Sequence, residues 1–219
     1  GLAEAMLGPG VIVAEGITEH SALTAVSEKM EAADLANYPL DLSGISIFPV
    51  DGDGSLTNFG FFFKSLGLKT YGFYDQKQRK VSEQAKFPEA FDLPCETSYT
   101  GIELLLVSEI PVERQWEFLV ALRDSGQQGQ IGIPSEKPDE EQIIKRFMTG
   151  ALKSNKGNGY AARLLELCNV DELPVSITGF LARIYADFPK PQNPRIVPES
   201  ERVKNPSPEQ TDDQLDVLL

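Results

Sequence analysis

Histidine and cysteine are nearly missing from this 219-residue chain. His20 is the only histidine, which argues against a Ser-His-Asp triad. It falls in the first turn of a helical pattern with no partner motif, and reads as a surface or capping residue. Cys95 and Cys168 are the only cysteines. They lack metal-ligand spacing and read as core residues. With no signal peptide in view, they predict a reduced cytoplasmic chain rather than a disulfide scaffold. No apolar run is long enough to span a membrane. A Gly-x-x-x-x-Gly-Lys-Ser/Thr phosphate loop and a dinucleotide fingerprint are both absent. Basic residues are outnumbered 20 to 33, for a net charge of -13. That balance counts against a generic nucleic-acid binder. It admits a site built from carboxylates whose charge bound metal would partly neutralise. Gly1, in place of Met, suggests an excised piece of a longer protein.

What is present centres on Val11-Ile12-Val13-Ala14-Glu15-Gly16-Ile17-Thr18-Glu19. Four apolar residues are enough for a buried parallel strand. Glu15 ends it, Gly16 turns the chain, and Thr18 is placed to cap a helix with Glu19 at the positive end of its dipole. The helical pattern runs from Glu19 to about Ala36, with Leu23, Val26 and Met30 on one face. Two carboxylates this close repel unless a proton or cation lies between them. The pair reads either as a hard divalent-metal site or as two solvated acids.

Further along, Gly44 to Val50 predicts a second strand, with Pro49 near its end. Leu56 to Leu66 predicts a helix with Phe59, Phe62 and Phe63 inward and Gly67 as its stop. Thr70 to Tyr74 predicts a third strand, also ending in a carboxylate, Asp75. This alternation is the pattern of a parallel sheet flanked by helices, an α/β fold, with all three acidic strand ends on one edge. Gln76 to Lys86 is polar and reads as mobile. Beyond Pro94 the pattern is helical, over Gly101 to Val107, Val112 to Asp124, Asp139 to Leu152, Gly159 to Cys168 and Ile177 to Ala186. The expected organisation is a catalytic domain over 1–125, a helical region over 126–188 packed on it, and a flexible acidic tail over 189–219. The 41% hydrophobic content is enough for a sizeable core.

Several acids could carry chemistry. Asp51-Gly52-Asp53-Gly54-Ser55 lacks the sixth-position Gly and twelfth-position Glu of an EF-hand. It remains open as metal ligands, as a Gly-Asp turn, or as the Asp-x-Asp-Gly-Thr-like motif that resembles haloacid-dehalogenase-type phosphatases. The later paired acid of that family finds only Asp212-Asp213, in the tail. Glu103, inside the apolar run Gly-Ile-Glu-Leu-Leu-Leu-Val, either faces solvent or reaches into a site. Lys153-Ser154-Asn155-Lys156-Gly157-Asn158-Gly159 is a basic turn. It could deliver a lysine to an acidic site, or simply cap a helix.

Taken together, the Glu15-Gly16-x-Thr18-Glu19 strand-turn-helix and a third strand ending in Asp75 resemble the TOPRIM domain of topoisomerases, primases and related nucleases. The form is most similar to the overcoming-lysogenization-defect (OLD) nucleases, whose relatives include the nuclease of Gabija antiphage defence. The likeness covers about residues 8 to 80 well, and the later helical part more loosely. It implies a DNA endonuclease using two divalent ions, Mg²⁺ or Mn²⁺, with Glu15 and Glu19 as the first acidic motif. Asp75 matches the first acid of an Asp-x-Asp motif. Lys77 stands where the second should be, so Asp51, Asp53 or Glu103 would complete the ligands. Lys156 or Lys153 matches the family's catalytic lysine. The resemblance also implies DNA as partner, an N-terminal ATPase outside this chain, and admits a helicase-like partner. A phosphatase, or a phosphate- or nucleotide-binding module that has lost catalysis, is the alternative.

Overall fold

A computed structural model describes residues 1–36, 38–50 and 52–188, with every side chain among them except that of Asp53. Asp51 and the tail expected over 189–219, including Asp212-Asp213, lie outside the described residues. The four strands are β1 (Gly10–Ala14), β2 (Ile45–Pro49), β3 (Lys69–Tyr74) and β4 (Leu93–Glu96). They form one sheet in the order β2-β1-β3-β4, and every pairing is parallel. The helices are α1 (Leu2–Ala5), α2 (Ile17–Ala32), α3 (Asp53–Ser65), α4 (Val81–Gln84), α5 (Lys86–Ala90), α6 (Ile102–Glu109), α7 (Val112–Asp124), α8 (Glu141–Ser154), α9 (Tyr160–Leu167) and α10 (Val175–Asp187). A 3₁₀ turn, Val170–Glu172, precedes α10.

Strand periodicity builds two cores from one sheet. Side chains alternate faces along a strand. Ile12 and Ala14 of β1, with Tyr71 and Phe73 of β3, face α2 and the helices from α6 to α10. Val11 and Val13, with Tyr74, face Leu56 and Phe63 of α3 and Phe87, Ala90 and Phe91 around α5. Val11, Ile12, Val13 and Ala14 are fully buried, as a strand covered on both faces should be. Each fully buried Val or Ile contributes roughly 1.5–3 kcal/mol.

The helix ends depart from the sequence expectation in instructive ways. Thr18 does not cap α2; Gly16 does, because the first helical bond runs from His20 N–H to Gly16 O. At the other end α2 stops at Ala32 rather than Ala36. Asp34 takes a left-handed φ of 57°, and the N–H groups of Leu35 and Asp34 bond to the carbonyls of Met30 and Glu31. This is a Schellman cap built on Asp instead of Gly, so no glycine announces it. Gly67 caps α3 the same way, with a φ of 83° and bonds from Leu68 and Gly67 to Phe63 and Lys64. Phe63 is buried as expected, but Phe62 is 38% exposed, because only positions four apart, 59 and 63, share the inner face squarely.

β4 is absent from the sequence expectation. Pro94 reads as a break, yet β4 is an edge strand paired only with β3, where a missing donor is tolerated. The segment from Gln76 to Lys86, expected to be mobile, instead holds the helical turn α4 and a set of ion pairs. Near the end of α2, Lys29 Nζ donates to the carbonyls of Glu166 (3.0 Å) and Cys168 (2.6 Å), capping the C-terminus of α9. No helix among the described residues is long and apolar enough to cross a membrane.

Phe91 is 1% exposed and fills the space over two glycines. A Cβ at Gly72 would lie 2.7 Å from its ring, and one at Gly60 2.8 Å. Gly72→Ala is therefore expected to destabilise the fold by about 1–3 kcal/mol through overpacking, read as a lowered urea midpoint with an unchanged m-value. An unaltered midpoint would show that Phe91 yields freely.

Candidate metal centre

The sheet order creates a topological switch between β1 and β3. From β2 the chain crosses past β1 to reach β3, and α2 and α3 lie on opposite faces. Ligands of open α/β sheets gather in the crevice outside the strand ends at such a switch. The residues directly after β1 and β3 are Glu15 and Asp75. Parallel pairing of Ala14 with Phe73 sets Asp75 one residue beyond the level of Glu15 at the same edge, and Asp75 N–H donates to Glu15 Oε2 at 3.3 Å.

Glu19 and Glu103 arrive from the first turns of two helices. Glu19 lies in the opening turn of α2 and Glu103 in that of α6, where the helix dipole favours negative charge. Each helix starts on a glycine that leaves the carboxylate room. A Cβ at Gly16 would sit 2.9 Å from Glu19 Oε2. One at Gly101 would sit 3.0 Å from Glu103 Oε2 and 4.0 Å from Asp75 Oδ2, so both acids border Gly101. The missed strand β4 makes this arrangement. Bonds from Thr97 N–H to Tyr74 O and from Gln76 N–H to Tyr99 O carry the pairing past the strand ends, delivering Gly101 and Glu103 to the crevice. Glu103 therefore reaches into the site rather than out to solvent.

Glu19 and Asp75 are each 7% exposed and Glu103 2%. Burial pushes the Asp75 carboxyl up to about 7, and the charges of Glu19 and Glu15 add to the effect, against an opposing pull from Lys77. Burial likewise raises Glu19, with Glu15 and Glu103 contributing. Asp75 Oδ1 is buried without a hydrogen-bond partner, a costly state for a carboxylate oxygen.

Two lysines reach the cluster. Lys156 Nζ lies 2.8 Å from Glu103 Oε1, close enough for an ion pair though not aligned as a hydrogen bond to that buried oxygen. Glu103 accordingly holds the Lys156 ammonium in its charged form, and Glu19 and Asp75 assist. The loop carrying Lys156 turns on Gly157, whose φ is 77°. Lys153 is exposed on the last turn of α8 and makes no ion pair with these acids. On the opposite side Lys77 Nζ donates to Glu15 Oε1. Arg79 is enclosed rather than offered to solvent. It bonds Glu96 and Asp75 O, and its guanidinium lies 5.1 and 4.7 Å from the Tyr74 and Phe87 ring centroids. Lys80 stays exposed.

Glu15, Glu19, Asp75, Glu103 and Lys156 are thus brought together, and Lys153 is not. Among the described residues no three acids already converge in ligating geometry. Asp51 and the Asp53 side chain lie outside the described residues. The donor set still suits a hard divalent cation, since it is all oxygen and one buried carboxylate oxygen awaits a partner. Sequence reasoning missed Gly101, Arg79 and the hold of Glu96 on Lys77 and Arg79. The spacing Gly101-x-Glu103, close to that of Gly16 and Glu19, is the one signal that pointed there. His20 is half-buried, its imidazole pKa lowered by burial and the N-terminal charge, and Cys168 is buried.

A parallel α/β sheet with acids after β1 and β3 and in the first turn of α2 defines a TOPRIM-type domain. Residues 7–76 match the family described as overcoming lysogenization defect protein-like, TOPRIM domain, so the chain carries an OLD-like TOPRIM domain there. The whole fold is similar to the C-terminal region of the Burkholderia pseudomallei OLD protein, with a TM-score of 0.56 and 14% identity, covering 82% of this chain and 98% of that one. The C-terminal region of the Xanthomonas campestris pv. campestris OLD protein gives 0.56 and 16%, covering 84% and 96%. No curated protein matches.

Because Asp75 is raised to about 7 from an ordinary value of 3.8, the folded metal-free protein binds a proton there that the unfolded chain has released. Its stability contribution therefore falls as pH rises from about 4 to about 7. Asp75→Asn should remove part of that decline. Melting temperatures in EDTA across the window test this, and a wild-type slope retained by the variant would contradict it.

Proposed function

We propose that this chain hydrolyses DNA phosphodiester bonds as a divalent-metal-dependent endonuclease. The observation that carries the reading is Asp75 Oδ1, buried and unpartnered where the charges of Glu19, Glu15 and Glu103 all act on it. Glu15, Glu19 and Asp75 would hold the metal, with Glu103 bordering it and Asp51 and Asp53, which follow β2 in sequence, as added ligands. All-oxygen ligation favours Mg²⁺ or Mn²⁺. When bound, such a metal supplies water activation and stabilises the leaving 3′ oxygen.

The remaining work falls to the chain itself. Lys156 is exposed beside the buried Glu103 and held in its charged form, where it would stabilise charge developing on a bound phosphate. Glu103 orients it. Gly16 and Gly101 leave the crevice open beside the acids. The resemblance implies two ions, and the second would have to share Glu15 with the Lys77 ammonium. DNA affinity in this reading comes mainly from an ATPase region outside this chain, since the chain itself is acidic and few lysines face the site.

A plasmid-nicking assay with Mg²⁺, Mn²⁺ or EDTA tests the activity. Hydrolysis of a small phosphate ester without nicking would point to a phosphatase instead. Lys156→Ala is expected to lower the cleavage rate at saturating DNA by about 10²-fold. Lys80→Ala should weaken binding and leave the saturated rate nearly unchanged. Equal saturated rates for wild type and Lys156→Ala would remove Lys156 from catalysis.

A further inference from the structure

The position two residues after Asp75 holds a cation, and the fold fastens that cation to an acid of the site. Lys77 Nζ donates to Glu15 Oε1, and the Lys77 charge also acts on Asp75. The backbone around Lys77 is held from both directions. Its N–H donates to Glu96 Oε1 at 3.4 Å. Two residues on, Arg79 bonds that same Glu96 oxygen and donates to Asp75 O at 3.0 Å. The Arg79 side chain is only 5% exposed and is clasped by Tyr74 and Phe87. Glu96 itself ends β4, paired with Tyr74. The loop is thus pinned to the sheet edge, and Lys77 is delivered to Glu15 by built structure.

On the other side Lys156 meets Glu103. Two ammonium groups therefore face four carboxylates among the described residues. A second divalent ion on the Glu15 side would have to displace the Lys77 ammonium from Glu15 Oε1. Glu103 Oε1 has the Lys156 ammonium beside it, whereas Asp75 Oδ1 has neither a hydrogen bond nor an ion pair among the described residues, and of the charges around Asp75 that of Glu19 acts most strongly on it.

We propose that Lys77 takes the place of one of the two ions the TOPRIM resemblance implies, so that the chain binds a single divalent ion at Asp75 and Glu19. The inference rests on the metal-site reading above. It makes Lys77 a positioning residue: it holds Glu15 and fills its side of the crevice with a fixed charge that no chelator removes.

Mn²⁺ alone is the probe. Isothermal titration should give one Mn²⁺ per chain for wild type, and electron paramagnetic resonance an uncoupled single-ion spectrum. Lys77→Asp, which restores an acid and frees Glu15, should bind two, with exchange coupling between ions held roughly 4 Å apart. Lys77→Gln, which only removes the charge, should also open the second site, and it guards against a folding failure of the aspartate variant. Two Mn²⁺ ions bound to wild type would overturn the substitution while leaving the nuclease reading standing. A stoichiometry of one in both variants would overturn it as well. Absence of Mn²⁺ binding in all three proteins would defeat the metal-site reading itself.

Discussion

Repulsion among carboxylates is the constraint on which this structure turns. Glu15, Glu19, Asp75 and Glu103 are gathered at one sheet edge, and three of them are almost wholly buried. Nothing in local propensity would bring them together. They are held by elements with independent reasons to form: a central strand buried on both faces, helices with apolar inner stripes, and an edge strand that completes the sheet. The acids thus stand on positions fixed by packing, and their mutual cost is carried by the two cores on either side of the sheet.

That division explains the two lysines. Lys77 and Lys156 come from loops on opposite sides of the crevice, and each meets a different acid. They reduce the repulsion without closing the centre, where Asp75 stays uncompensated. A carboxyl raised toward neutrality by burial and like charge is a common mark of a functional site, and structural ion-pair networks can produce the same sign. Here the unpartnered Asp75 oxygen is the observation on which the metal-site reading rests.

Much of this was legible in the sequence because it is periodic. β1, β2 and β3, the helices α2 and α3, and the span of α7 follow from apolar spacing, and the acids after β1 and β3 stand out against apolar strands. What was hidden depends on tertiary context. The Asp34 cap uses left-handed backbone without glycine. β4 contains a proline that only an edge position tolerates. Glu103 could not be assigned to solvent or site without β4, whose pairing brings it in. The enclosure of Arg79 was hidden as well, because Phe87 and Glu96 meet it only once α5 and β4 have packed. Lys153 and Lys156 were indistinguishable by composition; the turn at Gly157 separates them.

The bond from Lys29 to the end of α9 has a consequence for how the chain can vary in length. α2 holds Glu19 in its first turn and grips α9 near its last, while the Lys156 loop leads directly into α9. One helix therefore spans the interval between the acids and the segment that follows the lysine. A residue inserted between Glu19 and Lys29 would rotate one end about 100° against the other and lengthen the span by about 1.5 Å, so Lys29 could no longer reach α9 with Glu19 in place. The connector between α7 and α8 is held at Gln127, Ile133 and Pro134, but its largely exposed stretch from Glu136 to Glu140 is under no such gauge. Insertions and deletions should accumulate there, while the count of residues from Glu19 to Lys29 stays constant.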